Sequence, residues 1–285
     1  MCSMNVEELI TRAEKKIKGG LFGWGGQQYS DAAELYVQAA NKYMMSQNRE
    51  KAAELFTRAA ECHIAEGDSY PAIIAYQRVA QLKTPNNIDI WKKIVTLASE
   101  SGYWNHAAKA QESIAIYHDQ NFDYDTALVA YQKTLNLYSY DNNAMPIRRC
   151  SEKMATLLFK MDRYLDAIKV YEELAQKCLD GSSLKYSYPG YVVYIVIGHL
   201  ANTDLVAAQR YLEQAREQYP GLETSSELRF LSELVIAVEK YNLNGFVELV
   251  RDRNRIQTLD NMLCELLLKI KLRLAPDEDA TIDLT

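Results

Sequence analysis

Histidines, cysteines and close-set carboxylates are the side chains best able to do chemistry near neutral pH, and their spacing here gives them little to do. His63, His106, His118 and His199 lie far apart and form no H-E-x-x-H or H-x-H pair, so no metal site is legible in them. The cysteines, Cys2, Cys62, Cys150, Cys178 and Cys264, are odd in number and include no C-x-x-C pair, the pattern of a reduced, cytoplasmic chain. Phosphate-cradling G-x-x-x-x-G-K-[ST] loops, dinucleotide fingerprints and G-x-S-x-G elbows are all missing from the sequence. Carboxylates are numerous but fall on the polar faces of expected helices, where solvated i,i+4 pairing accounts for them. The expectation is a protein with no catalytic residue, metal, cofactor or small-molecule substrate.

What remains are residues suited to binding. Five of the twelve glycines fall within Gly19–Gly26, together with Leu21, Phe22 and Trp24. Glycine frees the backbone, while large apolar side chains in a loop call for something to receive them. Lys15, Lys16 and Lys18 precede the loop, and cations beside apolar residues suit the interface of an anionic membrane. The alternative is that the three side chains fold back over the first repeat. A second set is basic: Arg148, Arg149 and Lys153, with Lys109 one repeat earlier. These residues could form a patch for an acidic partner, or an ordinary solvated helix surface. A third set is acidic: Asp277, Glu278, Asp279 and Asp283 crowd the last nine residues beside Leu284. They carry most of the net charge of −6. That charge disfavours nucleic acid as a partner, since binding phosphates needs a positive field. The longest apolar run, Tyr191–Ile197, is far short of the roughly 20 residues that cross a bilayer.

The elements that must position these residues repeat. A small residue followed four positions later by an aromatic recurs at Ala32/Tyr36, Ala52/Phe56, Ala72/Tyr76, Ala127/Tyr131, Ala167/Tyr171 and Ala207/Tyr211, with a weaker copy at Ala107/Gln111. An i,i+4 pair shares one helix face, where the small residue admits a neighbouring helix and the ring fills the groove beside it. The unit is one helix per roughly 20 residues, paired into hairpins that must stack to bury their apolar faces. Ser30-Asp31, Asn48 and Asp68 stand where helix starts are expected. Asp123-Tyr-Asp-Thr-Ala and Asp162-Arg-Tyr-Leu-Asp-Ala resemble the opening of a tetratricopeptide helix. The fold expected is all-α: a tetratricopeptide-like right-handed solenoid of antiparallel helix hairpins over residues 1–183, capped by a helical bundle over 184–275 and followed by a flexible acidic tail over 276–285.

In the bundle, Asp180–Ser183 and Ser187–Gly190 read as turns, and helices are expected over Thr224–Lys240, Asn244 to about Arg253, and Ile256–Leu274. Lys269, Lys271 and Arg273 near the last helix C-terminus are accounted for by the helix dipole.

Together the Gly20-Leu-Phe-Gly loop, the stretch Ala32–Asn41, Leu184-Lys-Tyr-Ser187 and the ending Leu268-Lys-Ile-Lys with its acidic tail and penultimate leucine resemble the soluble NSF attachment proteins, the α/β-SNAP family. The resemblance runs along essentially the whole chain. It implies an adaptor, with no enzymatic activity of its own, that binds assembled SNARE four-helix complexes through a basic face and recruits the NSF hexamer, whose ATP hydrolysis separates the bundle. Such a protein is cytoplasmic and associates peripherally with the membrane surface. By position, Lys109, Arg149 and Lys153 stand where the family binds SNAREs, with Arg148 beside them. Leu21, Phe22 and Trp24 match the membrane-contact loop, and Leu284 with Asp277, Glu278, Asp279 and Asp283 matches the NSF-stimulating tail. Tyr103 replaces a basic residue of the family pattern. A tetratricopeptide-type scaffold for another complex is the alternative reading, and it gives Leu284 no role.

Overall fold

The computed structural model describes residues 5–20, 26–82, 87–180 and 185–275. Among them are fourteen α-helices and no strand, as the repeat requires. The chain divides into two compact units, Met1–Ile147 and Arg148–Thr285. The boundary expected at 183/184 lies outside the described residues, as do residues 21–25 of the loop and the tail from 276 onward.

In the first unit α1 (Val6–Gly20), α2 (Gly26–Met45), α3 (Arg49–Glu66), α4 (Ser69–Leu82), α5 (Ile88–Glu100), α6 (Trp104–Gln120) and α7 (Tyr124–Tyr140) each pack on the next. The seams are made of alanine. Ala32, Ala33, Ala39 and Ala40 of α2 share one core with Ala52, Ala53 and Ala59 of α3, and Tyr36 and Phe56 fill the space beside them. The repeat pairs Ala72/Tyr76 and Ala127/Tyr131 are buried likewise, and in the weak copy Gln111 is buried beside Ala107.

Between helices the chain uses one turn repeatedly. A residue in the left-handed region closes one helix and the next residue but one opens another. Gly67 (φ 87°) and Gly102 (φ 76°) take that position without strain, whereas Gln47, Phe122, Asn142, Asp162, Thr203 and Tyr241 adopt it with side chains, at about 1–2 kcal/mol each for residues that are neither Gly nor Asn/Asp. The caps follow: Asn48 accepts from the Lys51 amide and Asp123 from the Thr126 amide. Two expected starts differ. Helix α2 begins at Gly26, so Ser30 and Asp31 lie inside it, where Asp31 pairs with Lys16 of α1. Asp162 occupies the left-handed turn position, and helix α9 (Tyr164–Asp180) begins after it.

The second unit comprises α8 (Ala144–Lys160), which starts just before the division, α9, a 3₁₀ turn at Lys185–Ser187, α10 (Tyr188–Ala201), α11 (Leu205–Gln218), a 3₁₀ segment at Pro220–Thr224, α12 (Ser226–Glu239), α13 (Leu243–Ile256) and α14 (Asn261–Leu274). Helix α10 is its axis. The apolar run Tyr191–Ile197 belongs to it, and it is covered by α9, α11, α12 and α14. Gly198 admits Phe159 and Ile168 at close range: a Cβ there would stand 3.0 Å from both, tighter than ordinary contact. Ser187 is the N-cap of α10, and Tyr188–Gly190 form its first turn rather than a loop. Pro189 is tolerated there because the first amides of a helix have no internal acceptor. The helix expected over Ile256–Leu274 is two pieces. Ile256 ends α13 in solvent, Gln257 is extended, and Asp260 restarts the chain by accepting from the Leu263 amide.

Candidate partner-binding surfaces

Each basic residue singled out in the sequence is set on its helix by the small residues around it. On α6, Ala107, Ala108 and Ala110 are buried, which turns Lys109 outward into solvent. His106, one turn before it, contacts the amide of Gln77 at 3.0 Å. Burial, reinforced by the Lys109 charge, lowers the His106 pKa and so favours the neutral imidazole. Tyr103 lies at the same helix start with its ring against Tyr70, centroids 5.3 Å apart.

On α8 two neighbouring arginines differ in their surroundings. Arg149 and Lys153, four residues apart, are exposed on one face. Arg148 is turned into the unit. It donates to Ser187 Oγ at 3.0 Å and lies 3.9 Å from the Glu152 carboxylate, which also accepts from the Tyr191 hydroxyl at 2.5 Å. Burial and the Glu152 charge push the Tyr191 hydroxyl up, and burial pushes the nearby Cys178 thiol up. Arg148 is therefore not brought onto the face shared by Arg149 and Lys153. It braces α8 against the start of α10.

The basic residues of α14 also turn to internal partners, beyond what a helix dipole needs. Lys269 binds the Asp162 carboxylate at 2.5 Å and the Tyr164 hydroxyl at 3.2 Å, Lys271 is buried, and Arg273 donates to the Ala201 carbonyl. The Lys269 hydrogen bond holds Asp162 below the usual carboxylate range, aided by the bond from Tyr164. A further brace leaves no mark in the sequence: Arg253 of α13 is buried, 2.8 Å from Glu227 and 2.9 Å from Gln257, with Ser226 also accepting. No local motif signals it, because its members are brought together across a helix hairpin.

Leu21, Phe22 and Trp24, and Asp277, Glu278, Asp279, Asp283 and Leu284, lie outside the described residues. The structure does fix where the loop departs and returns, at the C-terminus of α1 and the N-terminus of α2. Among the described residues no three His, Cys, Asp or Glu side chains are grouped to hold a metal. No described helix is long and apolar enough to cross a membrane. What the surfaces offer is outward cations on α6 and α8, suited to an acidic partner.

A sequence model of the soluble NSF attachment proteins, SNAP, matches residues 4–275. The alpha-soluble NSF attachment protein of Mus musculus is 27% identical, covering 95% of each chain. The beta-soluble NSF attachment protein of Bos taurus is 27% identical over 97% of this chain and 96% of its own. A probable vesicular-fusion protein sec17 homolog of Schizosaccharomyces pombe is 28% identical over 96% and 97%. Among solved structures, BtubC from P. vanneervenii aligns with a TM-score of 0.46 at 12% identity, covering 78% of this chain and 94% of its own. The tetratricopeptide-repeat sensor protein PH0952 from Pyrococcus horikoshii aligns at 0.47 and 15%, covering 95% and 42%.

Proposed function

Because the chain belongs to the family of soluble NSF attachment proteins, we propose that it is an adaptor for SNARE disassembly, binding assembled four-helix SNARE complexes and bringing the NSF hexamer to them. The observation that carries this reading is the family match from residue 4 to residue 275, and the relatives named for vesicular fusion support it. Lys109 on α6 and Arg149 with Lys153 on α8 supply the contacts to acidic side chains of the bundle. At a solvated surface each such pair contributes modestly, about 0.2–1 kcal/mol. Several acting together give affinity, orientation and a strong dependence on salt. Arginine at 149 adds a planar fork that can bind a carboxylate through two parallel hydrogen bonds. Arg148 acts behind Arg149 and Lys153 by holding α8. The tail, with Asp277, Glu278, Asp279, Asp283 and Leu284, engages NSF, and Leu21, Phe22 and Trp24 hold the protein to the membrane on which the bundle sits. The adaptor performs no bond chemistry.

The test is binding of a preformed SNARE bundle lacking its membrane anchors, followed by fluorescence anisotropy over a range of salt. Wild-type protein is expected to bind and to lose affinity as salt rises. The Lys109→Glu/Arg149→Glu variant should bind at least about tenfold more weakly with unchanged helicity. Equal binding by a folded variant removes these residues from the interface. No binding by the wild type to any bundle tested leaves a scaffold for another complex.

A further inference from the structure

At one end of the second unit the α10–α11 turn, the α12–α13 turn and the last turn of α14 surround a pocket of about 260 Å³. Arg273 draws the end of α14 to this place by donating to the Ala201 carbonyl. Buried Leu200 and Ile270, with half-buried Leu205, Val238 and Leu274, make the pocket apolar, and the Tyr241 ring stands beside them 78% exposed. The space stays open because α14 stops at Leu274: Pro276 cannot sit inside a helix and disfavours helical backbone at Ala275. Pockets for drug-sized ligands run to about 300–1,000 Å³. This one is smaller, the size for aliphatic side chains rather than for a cofactor.

The chain next to the pocket supplies such side chains. Residues 276–285 follow directly from its wall. Their two large apolar side chains, Ile282 and Leu284, are spaced to share one side of an extended segment, with Asp283 on the other. Seven residues, 275–281, separate Leu274 from Ile282. A flexible tether of that length has a root-mean-square span of about 15 Å. It presents its far end at an effective concentration of the order of millimolar, so even weak docking is filled by the chain's own segment before a free one.

We propose that Ile282 and Leu284 lodge in this pocket of their own chain, which withholds Leu284 from a partner until the tail is drawn out. The proposal goes beyond the adaptor reading and needs neither SNARE nor NSF to be true. Charge at the site is mixed: Arg273 in the lining and exposed Lys240 next to Tyr241 offset Glu239 and the helix-capping Asp204. The aliphatic side chains therefore carry the contact, and it persists at high salt.

Cys62, Cys150 and Cys178 are buried, so after Cys2→Ser and Cys264→Ser a nitroxide can be attached at Thr285→Cys of the full, methyl-labelled chain. The expected result is loss of the methyl signals of Leu200, Leu205, Val238 and Ile270 at low and high salt, with recovery in Ile282→Ser/Leu284→Ser carrying the same tag. Tyr241→Asn, which suits the left-handed turn and takes away an exposed ring, should recover them in part. Equal signals with and without the two aliphatic side chains overturn the proposal and leave the pocket to another partner. A folded Tyr241→Asn protein that recovers nothing also overturns it. If a mixture of tagged, unlabelled protein and untagged, labelled protein shows the loss, the occupant is a second copy and the proposal fails. Should Tyr241→Asn not fold, the comparison with Ile282→Ser/Leu284→Ser decides. Failure of SNARE disassembly would sink the adaptor reading and leave these signals untouched.

Discussion

The two units use the same residue types to opposite ends. In the first, helices meet along alanine seams and leave their long charged side chains to solvent, as with Lys109. In the second, four basic side chains are drawn inward as braces: Arg148 to Glu152 and Ser187, Arg253 to Glu227, Lys269 to Asp162, Arg273 to the Ala201 carbonyl. A cation in a repeat seam is pushed out because an alanine-lined contact has no room for it. A cation in a bundle of unequal helices fills a gap and satisfies polar groups there. Thus a basic residue of the second unit has to be checked for an internal partner before it is read as a contact: Arg148 has one in Glu152 and Ser187, whereas Arg149 and Lys153 beside it are exposed.

The largest expected effects fall on the core of the second unit. Phe159→Ala removes a ring stacked on Tyr171 and packed where Gly198 admits it. It should cost about 3–5 kcal/mol in urea unfolding. In the first unit the equivalent injury is addition: Ala52→Leu overfills the α2–α3 seam, at about 1–3 kcal/mol. A smaller loss from Ala52→Leu than from Ala52→Gly would show that the seam yields and is not close-packed.

Arg253 comes next. Replacing it with Ala strands a partly buried Glu227 and should cost about 3 kcal/mol, whereas Arg253→Met, which keeps the volume, should cost less only when Glu227 is also made Gln. Additivity of the two single changes would contradict a coupled pair.

Arg148 and Arg149 give the sharpest version of the comparison. Arg148→Ala should lower the unfolding midpoint and leave bundle affinity of the folded fraction unchanged. Arg149→Ala should stay within about 0.5 kcal/mol of wild-type stability while weakening the bundle complex. The reverse pattern would exchange their roles.

Acid pH should act through Asp162. Its folded-state pKa lies below its ordinary value because Lys269 and Tyr164 bond the charged form. The stability this gives is present above the ordinary carboxylate range and is lost as pH falls through the depressed value. Asp162→Asn should flatten that part of the pH–stability curve. The effect is small, since both partners are solvent-screened. An identical acid limb in the variant would remove Asp162 from the account.

The helices and the alanine–aromatic core were legible because each pair is local: four residues fix a face, as Ala72 and Tyr76 do. Caps at Asn48 and Asp123 were legible for the same reason. Misplacements arose where a tertiary partner decided the matter. Asp31 looks like a helix start but pairs with Lys16 inside α2, and Asp162 looks like a cap but holds a left-handed turn and a lysine more than a hundred residues on. Arg148 and Arg149 are indistinguishable as letters. Only the position of α10 separates the brace from the exposed cation. The contact of Tyr70 with Tyr103 was invisible as well, because these rings meet only when the alternate helices α4 and α6 align.

The most direct measurement is ATP-dependent disassembly of a preformed, anchor-free SNARE bundle by NSF, with wild-type protein, with Lys109→Glu/Arg149→Glu, and with Leu284→Ala. The account predicts strong stimulation by the wild type, loss in the charge reversal through failed bundle binding, and loss in Leu284→Ala with bundle binding retained. A folded wild-type protein that binds no bundle and stimulates no disassembly would contradict it.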